Sequence, residues 1–132
     1  MGASRGLGRA VARRLLQQGH AVTVSARPGD ALEQAAGDLG AHGPVETLPL
    51  DLSEPGAVPA AIAELRRRHG AVPEVVVVSG GGPAPAGVEQ LGVERLDAAY
   101  GSMLRPAYEL LAGLAPELRA ARRGVVVFLT SS

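Results

Sequence analysis

The sequence predicts an α/β protein built on a parallel β-sheet with helices on both faces. Short β-branched segments alternate with amphipathic helical segments at about thirty residues per unit. The segments EVVVV and GVVVFL are apolar without alternation, which is typical of parallel strands covered on both faces. The alternation therefore indicates one α/β domain with a parallel sheet.

The first forty residues predict a helix, a strand and a second helix. Leu7, Val11 and Leu15 recur every four residues and predict an amphipathic helix that ends at Gly19. AVTVSA (residues 21–26) predicts a buried strand, and PGDALEQAAGDLG predicts a short helix closed by a glycine.

A strand and a third helix follow. VETLPL (residues 45–50) predicts a strand whose end is marked by its proline. Ser53 is the candidate N-cap of the next helix, which ends at Gly70. Val58, Ile62 and Leu65 predict its buried face.

The last third of the chain predicts a strand, a loop, a long helix and a final strand. EVVVV (residues 74–78) is the strand, and SGGGPAPAG is the loop. The helical pattern runs from about Val93 to Ala121 and is expected to bend at Pro106, which has no backbone N–H to donate. GVVVFLTSS predicts the final buried strand.

Composition limits the classes of function. The 132 residues suffice for one domain, and thirteen basic residues balance thirteen acidic ones, so no net charge favours nucleic acid or an anionic membrane. The chain has no cysteine, and its apolar runs are too short to cross a bilayer, which together favour the cytoplasm. His20, His42 and His69 show no ligand spacing, so no metal site is predicted and all three are expected to be solvated.

The opening MGASRGLG places three glycines directly before the first predicted helix, with no strand in front of them. Gly2, Gly6 and Gly8 would let a ligand approach the backbone where unpaired N–H groups favour a pyrophosphate. With eighteen glycines in the chain, a tight turn of no further significance is the alternative.

GASRGLG resembles the cofactor turn of the short-chain dehydrogenase/reductase family, T-G-x-x-x-G-x-G, with Met1 in place of the threonine. Later landmarks match in order over essentially the whole chain: Arg27, Asp51 with Leu52, the glycine-rich loop, and Ser131. The resemblance implies a partial Rossmann-type doubly wound sheet in a single NAD(P)-binding domain, residues 1–132, that lacks the first strand and the C-terminal strands.

The resemblance also implies a cofactor site. The positions that correspond to it are Gly2, Ser4, Arg5, Gly6, Leu7, Gly8, Arg27, Asp51, Leu52, Ser79, Gly80 and Gly81. An arginine after the second strand of such a fold accommodates a 2′-phosphate, so Arg27, together with Arg5, favours NADP(H) over NAD(H). Solvated surface arginines are the alternative. Asp51 corresponds to the adenine-binding position and could also cap the next helix.

The family's catalytic groups are largely missing. Ser131 corresponds to its catalytic serine, with Ser132 as the adjacent alternative, and Met103 stands at its asparagine position. The chain contains no lysine, so neither Tyr100 nor Tyr108 can form the Tyr-x-x-x-Lys pair that handles the proton. Both tyrosines are expected to pack half-buried on a helix.

Absence of the family's first strand implies a gap between its second and fourth strands, with unpaired backbone groups on both sides. Each buried unpaired group costs about 1–3 kcal/mol. We therefore expect either that the flanking strands pair directly with each other or that the isolated chain folds poorly.

Two functions remain open. The first is a fragment of an NADP(H)-dependent short-chain oxidoreductase acting on a carbonyl or alcohol of a small molecule, with the 132-residue chain alone inactive. The second is a non-catalytic nucleotide-binding or dimerisation module. The helix from Val93 to Ala121 resembles the family's dimer-forming helix, so a homo-oligomer fits either function. A phosphate-loop hydrolase is set aside because its motif needs a lysine.

Overall fold

The computed structural model describes residues 1–79, 87–90 and 92–129, in which helices and strands alternate. The elements are α1 (Gly6–Gln17), β1 (Val22–Val24), α2 (Asp30–Gly40), β2 (Val45–Thr47), α3 (Ala57–His69), β3 (Val75–Ser79), a 3₁₀ turn (Val88–Gln90), α4 (Val93–Ala99), a π-helical segment (Tyr100–Leu104), α5 (Arg105–Ala121) and β4 (Val125–Leu129). They fall into two compact units, which are described separately.

The first unit holds residues 1–51, 75–79 and 126–129. Its strands β1 and β2 pair in parallel, with Val22 opposite Val45 and Val24 opposite Thr47. Helix α1 ends as predicted, because Gly19 has a φ of +86° and donates its N–H to the carbonyl of Leu16. The core of this unit comprises Ala3, Ala12, Leu16, Val24, Leu32 and Leu39.

Strand β3 is hydrogen-bonded to β4 and not to β1. Of the two expected outcomes, direct pairing of the flanking strands is therefore wrong, and poor folding of the isolated chain stays a prediction. Residues 1–3 lie between their carboxyl ends instead: the Met1 amino group donates to the carbonyl of Val77 at 2.6 Å, and the Ala3 N–H donates to the carbonyl of Ser25 at 3.2 Å. The remaining space between β1 and β3, against α1, is a cavity of about 70 Å³ that we call the strand slot.

The second unit holds residues 52–74 and, among the described residues that follow, 87–90 and 92–125. Helices α3 and α5 pack against each other in it. The predicted face of α3 is buried, and Leu110 and Leu114 are buried on α5. The Arg66 guanidinium of α3 donates to the carbonyl of Gly113 at 3.0 Å and to the carboxylate of Glu117 at 2.5 Å.

A continuous helical stretch runs from α4 through the π-helical segment into α5. Pro106 is the second residue of α5, and the π-helical segment ends at Leu104, directly before α5 begins. Because the helix is continuous there, the missing N–H of Pro106 removes one helical hydrogen bond to the preceding turn. In place of the bend predicted at Pro106, the structure has the π-helical segment just before it. No described helix is long and apolar enough to span a membrane.

Several predicted positions differ in the structure. Gly56, with a φ of +80°, is the N-cap of α3, so Ser53 lies outside the helix. Leu7 is 59% exposed, because α1 buries the face that carries Gly8, Ala12 and Leu16, and Leu7 does not lie on that face.

Burial of the last two strands and of the tyrosines was also predicted wrongly. In β3 only Val76 is buried, and in β4 Val125, Val127 and Phe128 are exposed. Tyr100 and Tyr108 are 56% and 72% exposed rather than half-buried. An apolar run specifies a strand but not how much of it the rest of the chain covers. His42 is half-buried, whereas His20 and His69 are exposed as expected.

Candidate functional site

The opening turn brings three backbone segments into very close contact. Gly2 has a φ of +71°, and a Cβ at this position would lie 1.6 Å from the carbonyl oxygen of Ser79. A Cβ on Gly8 would lie 2.4 Å from the carbonyl oxygen of Gly2 and 3.3 Å from the Ser79 Cβ. Only glycine at both positions lets α1, the turn and β3 meet.

Gly6 is different, because a Cβ there would meet nothing within 4 Å. It has a φ of +58° and is the first residue of α1. The N-cap, Arg5, makes no side-chain capping hydrogen bond, and the first turn carries no acidic residue. The amino end of α1 therefore offers open N–H groups and a positive dipole end, the features that bind phosphate groups in proteins.

Two exposed arginines belong to the same end of the unit. The turn lies beside the end of β1, since Ala3 donates to the carbonyl of Ser25, and Arg27 follows two residues later. Arg5 and Arg27 are both exposed, and the position between Ser25 and Arg27 is an alanine rather than a carboxylate. The Ser25 hydroxyl is buried and has no hydrogen-bond partner among the described residues. Arg9, in contrast, is paired with Asp38.

The other predicted cofactor positions are placed as follows. Asp51 is half-buried and comes directly after Leu50, whose N–H donates to the carbonyl of Ala26 at 2.8 Å, so Asp51 follows a segment that runs beside the end of β1. It is not the N-cap of α3. Ser79 donates its N–H to the carbonyl of Met1 at 3.1 Å. Ser4 and Leu52 are half-buried. Gly80, Gly81 and Ser131 lie outside the described residues.

The helix of the second unit presents no proton-transfer pair. Four residues beyond Tyr100 and Tyr108 stand Leu104 and Ala112, which have no ionisable group. Met103 is exposed in the π-helical segment, and the neighbouring Ser102 hydroxyl donates to the carbonyl of Ala98 at 2.7 Å. The described residues also contain no cluster of three or more metal-ligating side chains.

Sequence reasoning missed the role of Met1. Its N–H donates to the Val77 carbonyl and its carbonyl accepts from the Ser79 N–H, which is the bonding pattern of a parallel bridge to Val78. Met1 therefore pairs with β3 as a single bridging residue, through one hydrogen bond on each side of Val78. The only sequence signal was its position at the family's threonine.

The Met1 amino group should make stability depend on pH. Burial lowers its pKa from 8.0 to about 6. Between these values the unfolded chain holds a proton that the folded chain lacks, so the free energy of unfolding should rise by about 2 kcal/mol from pH 6 to pH 8. Urea unfolding of the chain with Met1 retained, verified by mass, measures this.

The Nα-acetylated chain is the control for this prediction. It lacks the titrating amine but keeps all three histidines, so it should lose most of the rise. An equal rise in both chains would contradict the assignment.

Solved structures of oxidoreductases resemble this chain over nearly its whole length. A metagenomic short-chain oxidoreductase in complex with NADP is 32% identical, with a TM-score of 0.89 over 99% of this chain and 59% of that one. An alcohol dehydrogenase from the archaeon Thermococcus sibiricus, complexed with 5-hydroxy-NADP, is 30% identical, with a TM-score of 0.86 over 98% and 55%.

L-sorbose reductase from Gluconobacter frateurii, complexed with NADPH and L-sorbose, is 25% identical, with a TM-score of 0.86 over 96% of this chain and 49% of that one. The chain thus spans about half to three-fifths of the structures it matches. The fold and the glycine turn define an α/β protein of the Rossmann-like class, as the sequence predicted.

The family model for short chain dehydrogenases matches residues 1–132. The chain belongs to the short-chain dehydrogenase family.

Proposed function

We propose that this chain is the cofactor-binding part of an NADP(H)-dependent short-chain oxidoreductase that acts on a carbonyl or alcohol of a small molecule. The observation that carries the proposal is the amino end of α1, where an open glycine, uncapped N–H groups and an exposed arginine come together. The NADP and NADPH complexes of its structural relatives support it. The proposed protein is cytoplasmic, and residues 1–132 form part of one dinucleotide-binding domain.

In this proposal the backbone N–H groups of the first turn of α1 hold the pyrophosphate, beside Gly6. Arg27 and Arg5 pair with the 2′-phosphate through their guanidinium groups, which match phosphate oxygens in geometry. Asp51 accepts from the adenine amino group. Gly2 and Gly8 keep the turn closed, and Ser4, Leu7, Leu52, Ser79, Gly80 and Gly81 complete the site.

The dinucleotide, when bound, supplies the hydride. Reduction of a carbonyl also requires a donor for the developing oxyanion, and this chain has no lysine to lower the pKa of a tyrosine. Ser131 is proposed to orient the substrate oxygen. We therefore propose that the 132-residue chain binds NADP(H) and does not turn over, and sustained NADPH oxidation by the pure chain would refute this.

Arg27→Asp should reverse the preference for the phosphorylated cofactor. A hydrogen-bonded ion pair contributes about 1.5–3 kcal/mol, so NADPH binding should weaken by about 10- to 100-fold while NADH binding stays the same or improves. Fluorescence titration of the chain with each nucleotide measures both affinities.

Arg13→Asp is the matched control, because Arg13 is exposed on α1 and the charge change is identical. An equal loss in both variants would mean that only net charge matters. If the folded wild-type chain bound neither nucleotide saturably, the proposed function itself would be refuted.

A non-catalytic dimerisation module is the second candidate, favoured by an exposed apolar surface along α4 and α5. Its side chains recur at helical spacing: Val93, Leu96, Tyr100, Met103, Leu104, Tyr108 and Leu111. Exposed apolar patches of this kind mark interaction sites. We propose that a second copy of the chain covers this helical apolar surface, and such a homo-oligomer is compatible with either function.

Tyr108→Glu should shift this association towards monomer, since it places a charge in the middle of the helical apolar surface. Sedimentation equilibrium should show at least a tenfold weaker dimer. Ala120→Glu, at an exposed alanine of α5 outside that surface, should leave the dimer unchanged. A wild-type chain that stays monomeric at high concentration would contradict the proposal.

A further inference from the structure

Arg105 is fixed through both its backbone and its side chain. It directly follows the π-helical segment, and its backbone N–H donates to the carbonyl of Tyr100, the hydrogen bond that closes the wide turn. Its guanidinium Nη2 donates to the backbone carbonyl of Ser53 at 2.7 Å, across 52 positions of the chain. Both residues belong to the second unit, so this contact joins the beginning of α5 to the segment in front of α3.

Packing alone does not explain why an arginine stands at this position. Arg105 is half-buried, and its Nε is enclosed without a hydrogen-bond partner among the described residues. Enclosing an N–H group without a partner is unfavourable, and an apolar side chain of similar length would fill the same space without that cost. What the guanidinium adds here is the hydrogen bond from its Nη2 to Ser53.

The segment that Arg105 contacts lies between β2 and α3 and has no regular structure. On one side, the N–H of Leu50 donates to a backbone carbonyl at 2.8 Å. On the other side, the carbonyl of Ser53 accepts from Arg105. Asp51 and Leu52 are the two residues between these fixed points, and both are half-buried. A hydrogen bond on each side therefore restricts where the Asp51 carboxylate can lie.

We propose that Arg105 is a positioning residue for the adenine end of the dinucleotide site. Through its bond to Ser53, it keeps the Asp51 carboxylate where that group accepts a hydrogen bond from the adenine amino group. The inference rests on the proposed function, in which Asp51 has this role. Arg105 itself touches no part of the nucleotide and acts only through the backbone of Ser53.

Two nucleotides that differ only at the adenine amino group test this. The purine analogue of NADPH has a hydrogen atom in place of that amino group and cannot donate to Asp51. Because a hydrogen bond to a charged group is one of the stronger kinds, the wild-type chain should bind NADPH at least about tenfold more tightly than the analogue. Isothermal titration calorimetry measures both affinities, and their ratio is the preference for the amino group.

Arg105→Gln should reduce this preference to about twofold or less. The glutamine amide nitrogen takes the place of Nε, two bonds short of Nη2, so it should not reach the Ser53 carbonyl. Arg105→Met, which has no donor at all, should give the same reduced preference, and either variant suffices if the other fails to fold. A merely structural role would weaken the binding of both nucleotides by the same factor and leave the preference unchanged.

Two further variants are the controls. Arg105→Lys still carries a donor on a long stem and should keep at least half of the preference. Arg119→Gln removes an exposed arginine from the last turn of the same helix and should keep all of it. Equal losses in Arg105→Lys and Arg105→Gln, or in Arg119→Gln and Arg105→Gln, would overturn the inference.

The same titrations separate failure of the inference from failure of the proposed function. A wild-type chain that prefers NADPH, with the preference unchanged in Arg105→Gln and Arg105→Met, would overturn the inference and leave the proposed function standing. A wild-type chain that binds both nucleotides equally would overturn the adenine contact of Asp51, and the role of Arg105 with it. A folded wild-type chain that binds neither nucleotide would refute the proposed function together with the inference.

Discussion

Gly2→Ala is expected to lower the free energy of unfolding of this chain by about 2–5 kcal/mol. A left-handed conformation costs a residue with a Cβ about 1–2 kcal/mol, and overpacking typically adds about 1–3 kcal/mol. Here the new Cβ would lie 1.6 Å from a backbone oxygen of Ser79, which cannot move aside as a side chain could. Urea unfolding followed by circular dichroism measures the loss.

The damage should centre on the end of the strand slot. To avoid the collision, residues 1–3 must separate from β3, which breaks the hydrogen bonds between Met1 and the backbone of Val77 and Ser79. Hydrogen exchange in residues 75–79 should therefore accelerate more than exchange in α2. The loss is large against the roughly 5–15 kcal/mol by which domains are usually stable.

Gly19→Ala is the matched control for Gly2→Ala. Gly19 also has a positive φ, +86°, but a Cβ there would meet nothing within 4 Å. Gly19→Ala should therefore lower the free energy of unfolding only by the conformational cost of about 1–2 kcal/mol. Equal losses at the two positions would show that strain alone matters and that the contact with Ser79 does not.

Local signals in the sequence account for the order of elements and for the turn. Periodicity predicted the helices and the buried face of α3, and Gly19 and Gly70 marked helix ends correctly. The N-cap of α3 was misplaced because an intrinsically good cap, Ser53, lies near a glycine whose left-handed conformation begins the helix.

Contacts between distant residues could not be predicted. Gly2 and Gly8 were predicted to leave room for a ligand, yet a Cβ at either position would contact Ser79, which lies more than seventy residues along the chain. Of the three glycines in the turn, only Gly6 has open space around its Cα that a ligand could occupy. Likewise, nothing in the pattern of β3 or β4 reported how much of each strand stays exposed, since burial depends on neighbours that a pattern does not identify.

Ile62→Ala is expected to destabilise the second unit by about 2–5 kcal/mol, the usual cost of emptying a well-packed aliphatic site. Ile62 is 2% exposed on α3 and points its Cδ1 at Gly113 of α5. Ile62→Val, which removes only that methyl group, should cost about 0.5–1.5 kcal/mol. Urea unfolding gives both values.

A double-mutant cycle with Gly113→Ala tests whether this contact sets the approach of the two helices. Alanine in a helix interior is favoured over glycine by about 1 kcal/mol, but its Cβ would lie 2.5 Å from the Ile62 Cδ1. Valine has no Cδ1, so Gly113→Ala should stabilise the Ile62→Val chain by at least about 1 kcal/mol more than it changes the wild type. Gly37→Ala on α2, where a Cβ would meet nothing within 4 Å, should instead combine additively with Ile62→Val. If Gly113→Ala were also additive, the methyl group of Ile62 would not limit how closely α3 and α5 pack.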